Sequence, residues 1–251
     1  MVSYREFKLP KKGKGFRLIC APSKTLTILQ RKSLTELYKF HRNAVKGTII
    51  ENVQHGFLRM KSPVTGAKCH IGYKTTIMMD LSDFFNTTTE DMIPFSIQKD
   101  IYFHKEGRYT AQGFVTSPIL ANIASIPFLT DIESFLISNY KEHAMVSYAD
   151  DLSISINSED YTDSKRIIDY IEDAARRFRF KVNTKKTRIK YAKFGYRRIL
   201  GINVGDDHIR ATRKVMQKIR AAHHQASWCS LGGLTAWSKC SPPKVKHYDK
   251  A

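Results

Sequence analysis

The sequence predicts an α+β fold. Three observations carry that expectation. Residues 152–157, Leu-Ser-Ile-Ser-Ile-Asn, alternate strictly between apolar and polar. Apolar residues recur at helical spacing after Ser23, after Pro118 and from about 160 to 178. Strands and helices mix without the regular rhythm that a parallel sheet requires. At 251 residues and 42% hydrophobic content, the chain is long enough to bury a sizeable core.

Taken in order, Phe16-Arg17-Leu18-Ile19-Cys20 reads as a strand behind a short basic segment. Ser23 is placed to cap a helix whose apolar side carries Leu26, Leu29, Leu34, Leu37 and Phe40. Gly47, Gly56, Pro63, Gly66 and Gly72 punctuate an irregular region with short strands. Thr75 through Leu81 reads as a buried strand carrying a carboxylate at its end, with a short helix expected after Thr89. Gly107 and Gly113 bracket a loop, and residues 118–138 have helical length with an interruption at Pro127. Val146-Ser147-Tyr148 and Leu152 onward make a hairpin turning at Ala149-Asp150-Asp151. A helix follows over about 160–178, then strands near 187–192 and 196–204, and a basic helix near 211–226 with Val215, Ile219 and Ala222 turned inward.

Charge is uneven. The formal net charge is +19, and residues 1–46 hold +10 of it and residues 181–224 hold +11, so everything else sums to −2. Solvated faces usually mix signs; dense blocks of one sign neutralise phosphates, which makes nucleic acid the favoured partner. The first eight residues lack an apolar signal core, and no apolar run approaches the ~18 residues of a membrane span, so a cytoplasmic location is expected. Cys20, Cys69, Cys229 and Cys240 have irregular spacing that implies neither a disulfide framework nor, with His223 and His224, a closed zinc site.

Asp80 stands at the end of an apolar strand and Asp150-Asp151 at a hairpin tip. Adjacent carboxylates repel, and the cost is offset where divalent cations bind between them. Two such cations can activate a hydroxyl and stabilise the leaving oxygen of a displaced phosphate. Turn propensity alone explains most bare Asp-Asp pairs. Between alternating strands, in a chain with two phosphate-seeking blocks, the metal reading is the better one.

These residues also resemble a known family. Tyr148-Ala149-Asp150-Asp151 is similar to the Tyr-x-Asp-Asp signature of reverse transcriptases. Met79 through Phe85 resembles their first metal-binding motif, Gln112-Gly113-Phe114-Val115-Thr116-Ser117-Pro118 their Gln-Gly-x-x-x-Ser-Pro loop, and Lys185 through Ile189 their following basic motif. Phe194 through Val204 looks like the primer-grip strands, so the match runs over roughly residues 8–240. Gln54-His55-Gly56-Phe57 and Gly66-Ala67-Lys68-Cys69-His70 narrow it to prokaryotic retron-like and defence-associated enzymes. Gly66 replaces the Asn of an Asn-Ala-x-x-His element, and Ile199-Leu200-Gly201 replaces a Val-Thr-Gly element.

The resemblance implies a right-hand polymerase: fingers over 1–74 with part of 86–111, palm over 75–204, and a compact basic thumb with the C-terminal tail over 205–251. It implies RNA-templated DNA synthesis from dNTPs with two Mg²⁺ (or Mn²⁺), held by Asp80, Asp150, Asp151 and the Leu81 carbonyl. Lys11, Lys12 and Arg17 would clamp the triphosphate, Asp83 and Phe84 would offer it backbone N–H groups, and Phe85 would bar a 2′-hydroxyl. Gln112 would pack by the nucleotide, and Lys186 would neutralise pyrophosphate or contact template. Arg213, Lys214, Lys218 and Arg220 would track the duplex, with His55 and His70 facing a partner RNA. Leu231-Gly232-Gly233-Leu234 resembles a small turn of such thumbs. A non-coding RNA, a cDNA product, a protein effector and self-association in the bacterial cytoplasm are the implied partners and setting, with antiphage defence as the role. Two rival readings are a defence-associated enzyme making repetitive or untemplated DNA and an idle RNA-binding module. An RNA polymerase is disfavoured by Phe85.

Overall fold

A computed structural model describes residues 3–11 and 15–239; Lys12 and the basic tail 241–251 lie outside them. The chain opens with β1 (Tyr4–Pro10) and β2 (Phe16–Pro22), an antiparallel pair from Tyr4 opposite Pro22 to Pro10 opposite Phe16. The sequence announces only the second strand, because Arg5, Glu6 and Lys8 break the apolar character of the first. Next comes α1 (Lys24–Val45), and the Ser23 hydroxyl accepts from Leu26 N at 3.2 Å as expected of a cap. Its buried stripe differs from the expected one: Gln30, Ser33 and His41 share it with Leu26, Leu37 and Val45, while Leu29, Leu34 and Phe40 are half-buried. Gln30 belongs inside because its amide donates to Ile101 O at 2.6 Å and accepts from Val115 N at 2.9 Å.

Where short strands are expected between Gly47 and Gly72, the structure instead forms α2 (Pro63–Lys68), started by a reciprocal capping box between Ser62 and Thr65. Then follow β3 (Thr75–Asp80), α3 (Phe84–Thr87) and three short 3₁₀ turns over Glu90–Met92, Phe95–Ile97 and Asp100–Tyr102. The predicted long helix is two, α4 (Ser117–Ala124) and α5 (Ile126–Asn139), bent by 43° at Ser125. Pro127 falls in the first turn of α5, where its missing N–H costs nothing.

The hairpin is β4 (His143–Tyr148) and β5 (Asp151–Ile156), followed by α6 (Tyr161–Arg177), β6 (Arg188–Tyr191), β7 (Arg197–Ile199), β8 (Ile202–Val204) and β9 (Ile209–Ala211). Two helices end the described chain, α7 (Arg213–His224) and α8 (Trp228–Ser238). Leu231-Gly232-Gly233-Leu234 lies inside α8 and is no turn; neither glycine has a positive φ.

The chain divides into two units. One holds the segments up to Glu51, Leu81–Ser134 and Ile171–Val182; the other holds Asn52–Asp80, Phe135–Tyr170 and Asn183 onward. In the first, Cys20, Leu26, Ala111 and Phe114 form a core beside the Gln112-Gly113 loop. Gly113 is required there: its φ is +107°, and a Cβ would meet Cys20 O at 2.5 Å.

The second unit is built on an antiparallel sheet in the order β4-β5-β3-β6, with a smaller sheet β7-β8-β9. Register places Thr76, Met78 and Asp80 opposite Ser155, Ser153 and Asp151, so these six share one face. Ile77, Met79, Leu152, Ile154 and Ile156 make the other, apolar face. Every β5 residue after Asp151 is buried. Alternation here separates a hydroxyl face from an apolar one, with neither exposed to water.

Candidate active site

Asp80 and Asp151 are direct cross-strand partners at the open end of β3 and β5. Ala149 and Asp150 form the two-residue turn of the hairpin, with Tyr148 paired to Asp151. Ala149 has φ +55°, the left-handed region that a tight hairpin turn demands. Like charges directly opposite in a sheet repel, and here a third carboxylate adjoins them. The Asp151 carboxyl, solvent-reaching yet hemmed in on its inner side, is pushed up to about 6, chiefly by burial and then by Asp150 and Asp80, against the pull of Lys186. Lys186 Nζ donates to Asp80 Oδ1 at 2.7 Å, and that bond raises the ammonium pKa. One ammonium thus faces three carboxylates. The clustered carboxylates and the all-oxygen donor set fit hard divalent cations.

A cleft of about 260 Å³ opens at these groups, lined by Met78, Met79, Asp80, Asp151, Lys186 and Arg188. A second, of about 290 Å³, adjoins Asp151 and Tyr148 and is walled by Pro63 and by Arg198 through Gly201 at the β7–β8 turn. Leu200 and Gly201 have φ +48° and +80°, as a type I′ turn requires.

The Gln54-His55-Gly56-Phe57 segment supports the hairpin. His55 N donates to Ser147 O at 2.8 Å and Ser147 N to Val53 O at 2.9 Å. Gly56 lies against the turn itself: a Cβ there would stand 2.5 Å from Ala149 N.

The expected RNA contacts at His55 and His70 are corrected by burial. His55 Nε2 meets Asn52 O at 3.0 Å and Nδ1 meets Thr65 Oγ1 at 2.8 Å. His70 is fully enclosed, between Ser155 Oγ at 2.8 Å and Ser153 Oγ at 2.9 Å. Burial, the first cause in each, pulls His55 down to about 4 and His70 to about 3, so both rings are neutral. They are interior side chains with no face for a partner.

Most other expected residues lie in the first unit, those of α7 in the second. Leu81 is buried, and Ser82 N→Lys181 O at 2.6 Å marks its bridge to Val182, a pairing that turns the Leu81 carbonyl away from Val182. Asp83 is exposed with φ +50°, 4.0 Å from the Lys11 ammonium. Phe84 is buried against Phe180, whereas Phe85 is half-buried. Arg17 is exposed on β2, and Gln112 is half-buried with its carbonyl accepting from Cys20 N at 2.8 Å. On α7, Arg213, Lys214, Lys218 and Arg220 are all exposed. Sequence reasoning missed Thr76, Ser153, Ser155 and Arg197, which sit on the aspartate-bearing face or against it; the paired serines of the alternating strand were the available signal.

A family model described as reverse transcriptase (RNA-dependent DNA polymerase) matches residues 9–219. The chain belongs to the reverse transcriptase family. Among curated relatives of this reverse transcriptase, the Retron Mx65 reverse transcriptase of Myxococcus xanthus is 26% identical over 96% of the chain and 62% of the relative. The Retron Ec83 reverse transcriptase of Escherichia coli is 27% identical over 62% of the chain and 54% of the relative. The chain therefore spans between about half and two thirds of these relatives' length. Among solved structures, apo telomerase from Candida tropicalis truncated from its C-terminal domain has a TM-score of 0.58 at 14% identity, covering 84% of this chain and 55% of that one. A foamy viral protease-reverse transcriptase in complex with double-stranded DNA has a TM-score of 0.52 at 17% identity, covering 87% of this chain and 32% of that one. The α+β polymerase fold is common to them.

Proposed function

We propose that this reverse transcriptase is an active RNA-directed DNA polymerase that copies a cognate non-coding RNA into cDNA from dNTPs, in the manner of the retron enzymes. The observation that carries the reading is the pairing of Asp80 with Asp151 beside Asp150 in the turn, which gathers three carboxylates at the end of the hairpin, with Lys186 bonded to Asp80. Asp80, Asp150, Asp151 and the Leu81 carbonyl would hold two Mg²⁺, or Mn²⁺ in their place; such a pair, when bound, activates a primer hydroxyl and neutralises the triphosphate.

The chain's own groups do the rest. Lys186, released from Asp80 by the incoming charge, places an ammonium where departing pyrophosphate gains negative charge. Arg17, Lys11 and Lys12 hold phosphate oxygens, Arg17 bidentately. Asp83 and Phe84 present backbone N–H groups, Gln112 packs by the sugar and base, and the Phe85 ring fills the space a 2′-hydroxyl would need. The cleft bounded by Tyr148, Leu200 and Gly201 receives the primer end, and α7 follows duplex phosphates, where contacts set affinity and not sequence. Residues 1–74 with part of 86–111 act as fingers, 75–204 as palm and 205–251 as thumb and tail. A bacterial cytoplasmic setting, antiphage defence, a protein effector and self-association complete the proposal by analogy with the family.

Extension of a primed RNA template by dNTPs tests it. Wild type extends the primer, and Asp150→Asn loses about 10³-fold or more; equal extension by both, or none by wild type, defeats the reading. Leu200, in place of the Thr of a Val-Thr-Gly element, favours one second reading, a defence-associated enzyme making repetitive or untemplated DNA. Sequencing the copurifying nucleic acid separates the two: one defined RNA-linked cDNA belongs to the first.

A further inference from the structure

Beneath the aspartates, on the same sheet face, lies a continuous run of buried hydrogen bonds. Arg197, 1% exposed, donates from Nη1 to Thr76 Oγ1 at 3.2 Å and from Nη2 to the His70 carbonyl at 3.0 Å and the Gly205 carbonyl at 3.2 Å. Thr76 Oγ1 lies 2.7 Å from Ser155 Oγ, its register partner. His70 then bridges Ser155 and Ser153, and Ser153 reaches the Val146 carbonyl at 3.4 Å on β4.

The direction of the run follows from its ends. A guanidinium only donates, so Thr76 accepts from Arg197; the Val146 carbonyl only accepts, so Ser153 spends its proton there and, working back through a neutral imidazole, Thr76 donates to Ser155. Ser155 donates to His70 Nδ1, which leaves Nε2–H to donate to Ser153, and Ser153 donates to Val146 O. That assignment requires a neutral imidazole, which the burial of His70 independently favours.

We propose that this run is a register lock for the active site: His70, held by Arg197, grips residues 153 and 155 of β5 together and so keeps Asp151 opposite Asp80. A strand that slips by one residue turns its other face inward. His70 would then meet Leu152, Ile154 or Ile156, none able to bond it, and two ring nitrogens and a buried guanidinium neighbour would lose partners. Hydrophobic replacements could pack the same space; the polar grip adds to the apolar face and the short turn a penalty that a slipped register cannot escape. His70 is thus a positioning residue, acting on the carboxylates through β5.

The inference rests on the polymerase reading for its kinetic readout, and the test keeps the two apart. His70→Leu, His70→Gln and Ser155→Ala are compared with wild type in thermal stability, in kcat and KM for dNTP, and in Mn²⁺ affinity of the free protein by electron paramagnetic resonance. His70→Leu is expected to lose about tenfold or more in kcat with little change in KM, and about tenfold in Mn²⁺ affinity. His70→Gln, whose amide offers one acceptor and one donor, recovers most of both. If His70→Leu does not fold, Ser155→Ala, which removes the hydroxyl between Thr76 and the ring, must show the same losses at near-wild-type Tm. A folded His70→Leu or Ser155→Ala with wild-type kcat and Mn²⁺ affinity overturns the lock. Should wild type bind Mn²⁺ yet extend no primer, the polymerase reading fails and the Mn²⁺ arm alone decides this one.

Discussion

Gly56 shows how a residue far from the carboxylates in sequence sets the aspartate-bearing turn. Its missing Cβ lets the chain approach to within a distance at which an alanine would stand 2.5 Å from Ala149 N and 3.2 Å from Tyr148 C. Those atoms are backbone, so no rotamer change relieves the contact. The neighbouring ladder bonds from Val53 and His55 to Ser147 prevent the segment from backing away. Gly56→Ala is therefore expected to shift the Ala149-Asp150 turn, at a cost of about 1–3 kcal/mol in stability. Primer extension, assayed well below the Tm, should fall further than the unfolded fraction accounts for. A Gly56→Ala protein with wild-type Tm and extension rate would show that the turn does not depend on this approach. Ala149 belongs to the same argument: a non-glycine residue with φ +55° is costly, and it is kept where the hairpin must turn within two residues to present Asp150 and Asp151.

At the scale of elements, β5 is the strand around which the second unit is organised, and the loops before and after α2 supply the two buried histidines, His55 and His70. Their titration gives the unit a defined acid sensitivity. An unfolded chain takes up a proton on each histidine as pH falls below 6.5, whereas the folded chain resists until about 4 for His55 and about 3 for His70. The stabilisation is whole above 6.5 and is lost as pH falls through that window, by up to about 1.4 kcal/mol per pH unit for each ring. Asp151, raised to about 6, works in the opposite sense between 6 and the ordinary carboxylate value, so the comparison is made between wild type and a His55→Gln/His70→Gln double variant. Urea midpoints at pH 7.5 and 5.5 should converge in the variant and separate in wild type; equal separations in both would exclude the histidines as the cause. Much of this architecture was legible: Ser23 announced α1, Pro127 the break between α4 and α5, and Tyr148-Ala149-Asp150-Asp151 the hairpin that carries two of the three carboxylates. Other parts were hidden because their cause lies far along the chain. Ser153 and Ser155 are buried by His70, more than 80 residues away, and Gln30 is admitted to the core by two loops 71 and 85 residues on. Local pattern cannot report partners at that separation.

Over the whole molecule, the strongest physical signal is still the charge, +10 in residues 1–46 and +11 in residues 181–224. The second block is divided by the structure into distinct duties. Arg197 is buried and serves the fold, Lys186 is tied to Asp80, and Lys193 pairs with Glu159 at 3.1 Å. The α7 cations Arg213, Lys214, Lys218 and Arg220 are exposed, and α7 has no acidic residue in its first turn or elsewhere along its length. A row of this kind suits phosphate, the role proposed for it, and phosphate contacts release counterions on binding. For an RNA–DNA hybrid, log Kd should therefore depend steeply on log salt, and each lost contact should lower the slope by about 1. Neutralising Lys214 and Lys218 together is expected to weaken hybrid binding alike for unrelated sequences and to reduce the slope by about 2, with Tm unchanged because neither side chain is packed. An unchanged slope would place the duplex elsewhere on the protein. A loss confined to one sequence would mean that α7 reads bases, which the deep, narrow major groove of an A-form hybrid denies to side chains.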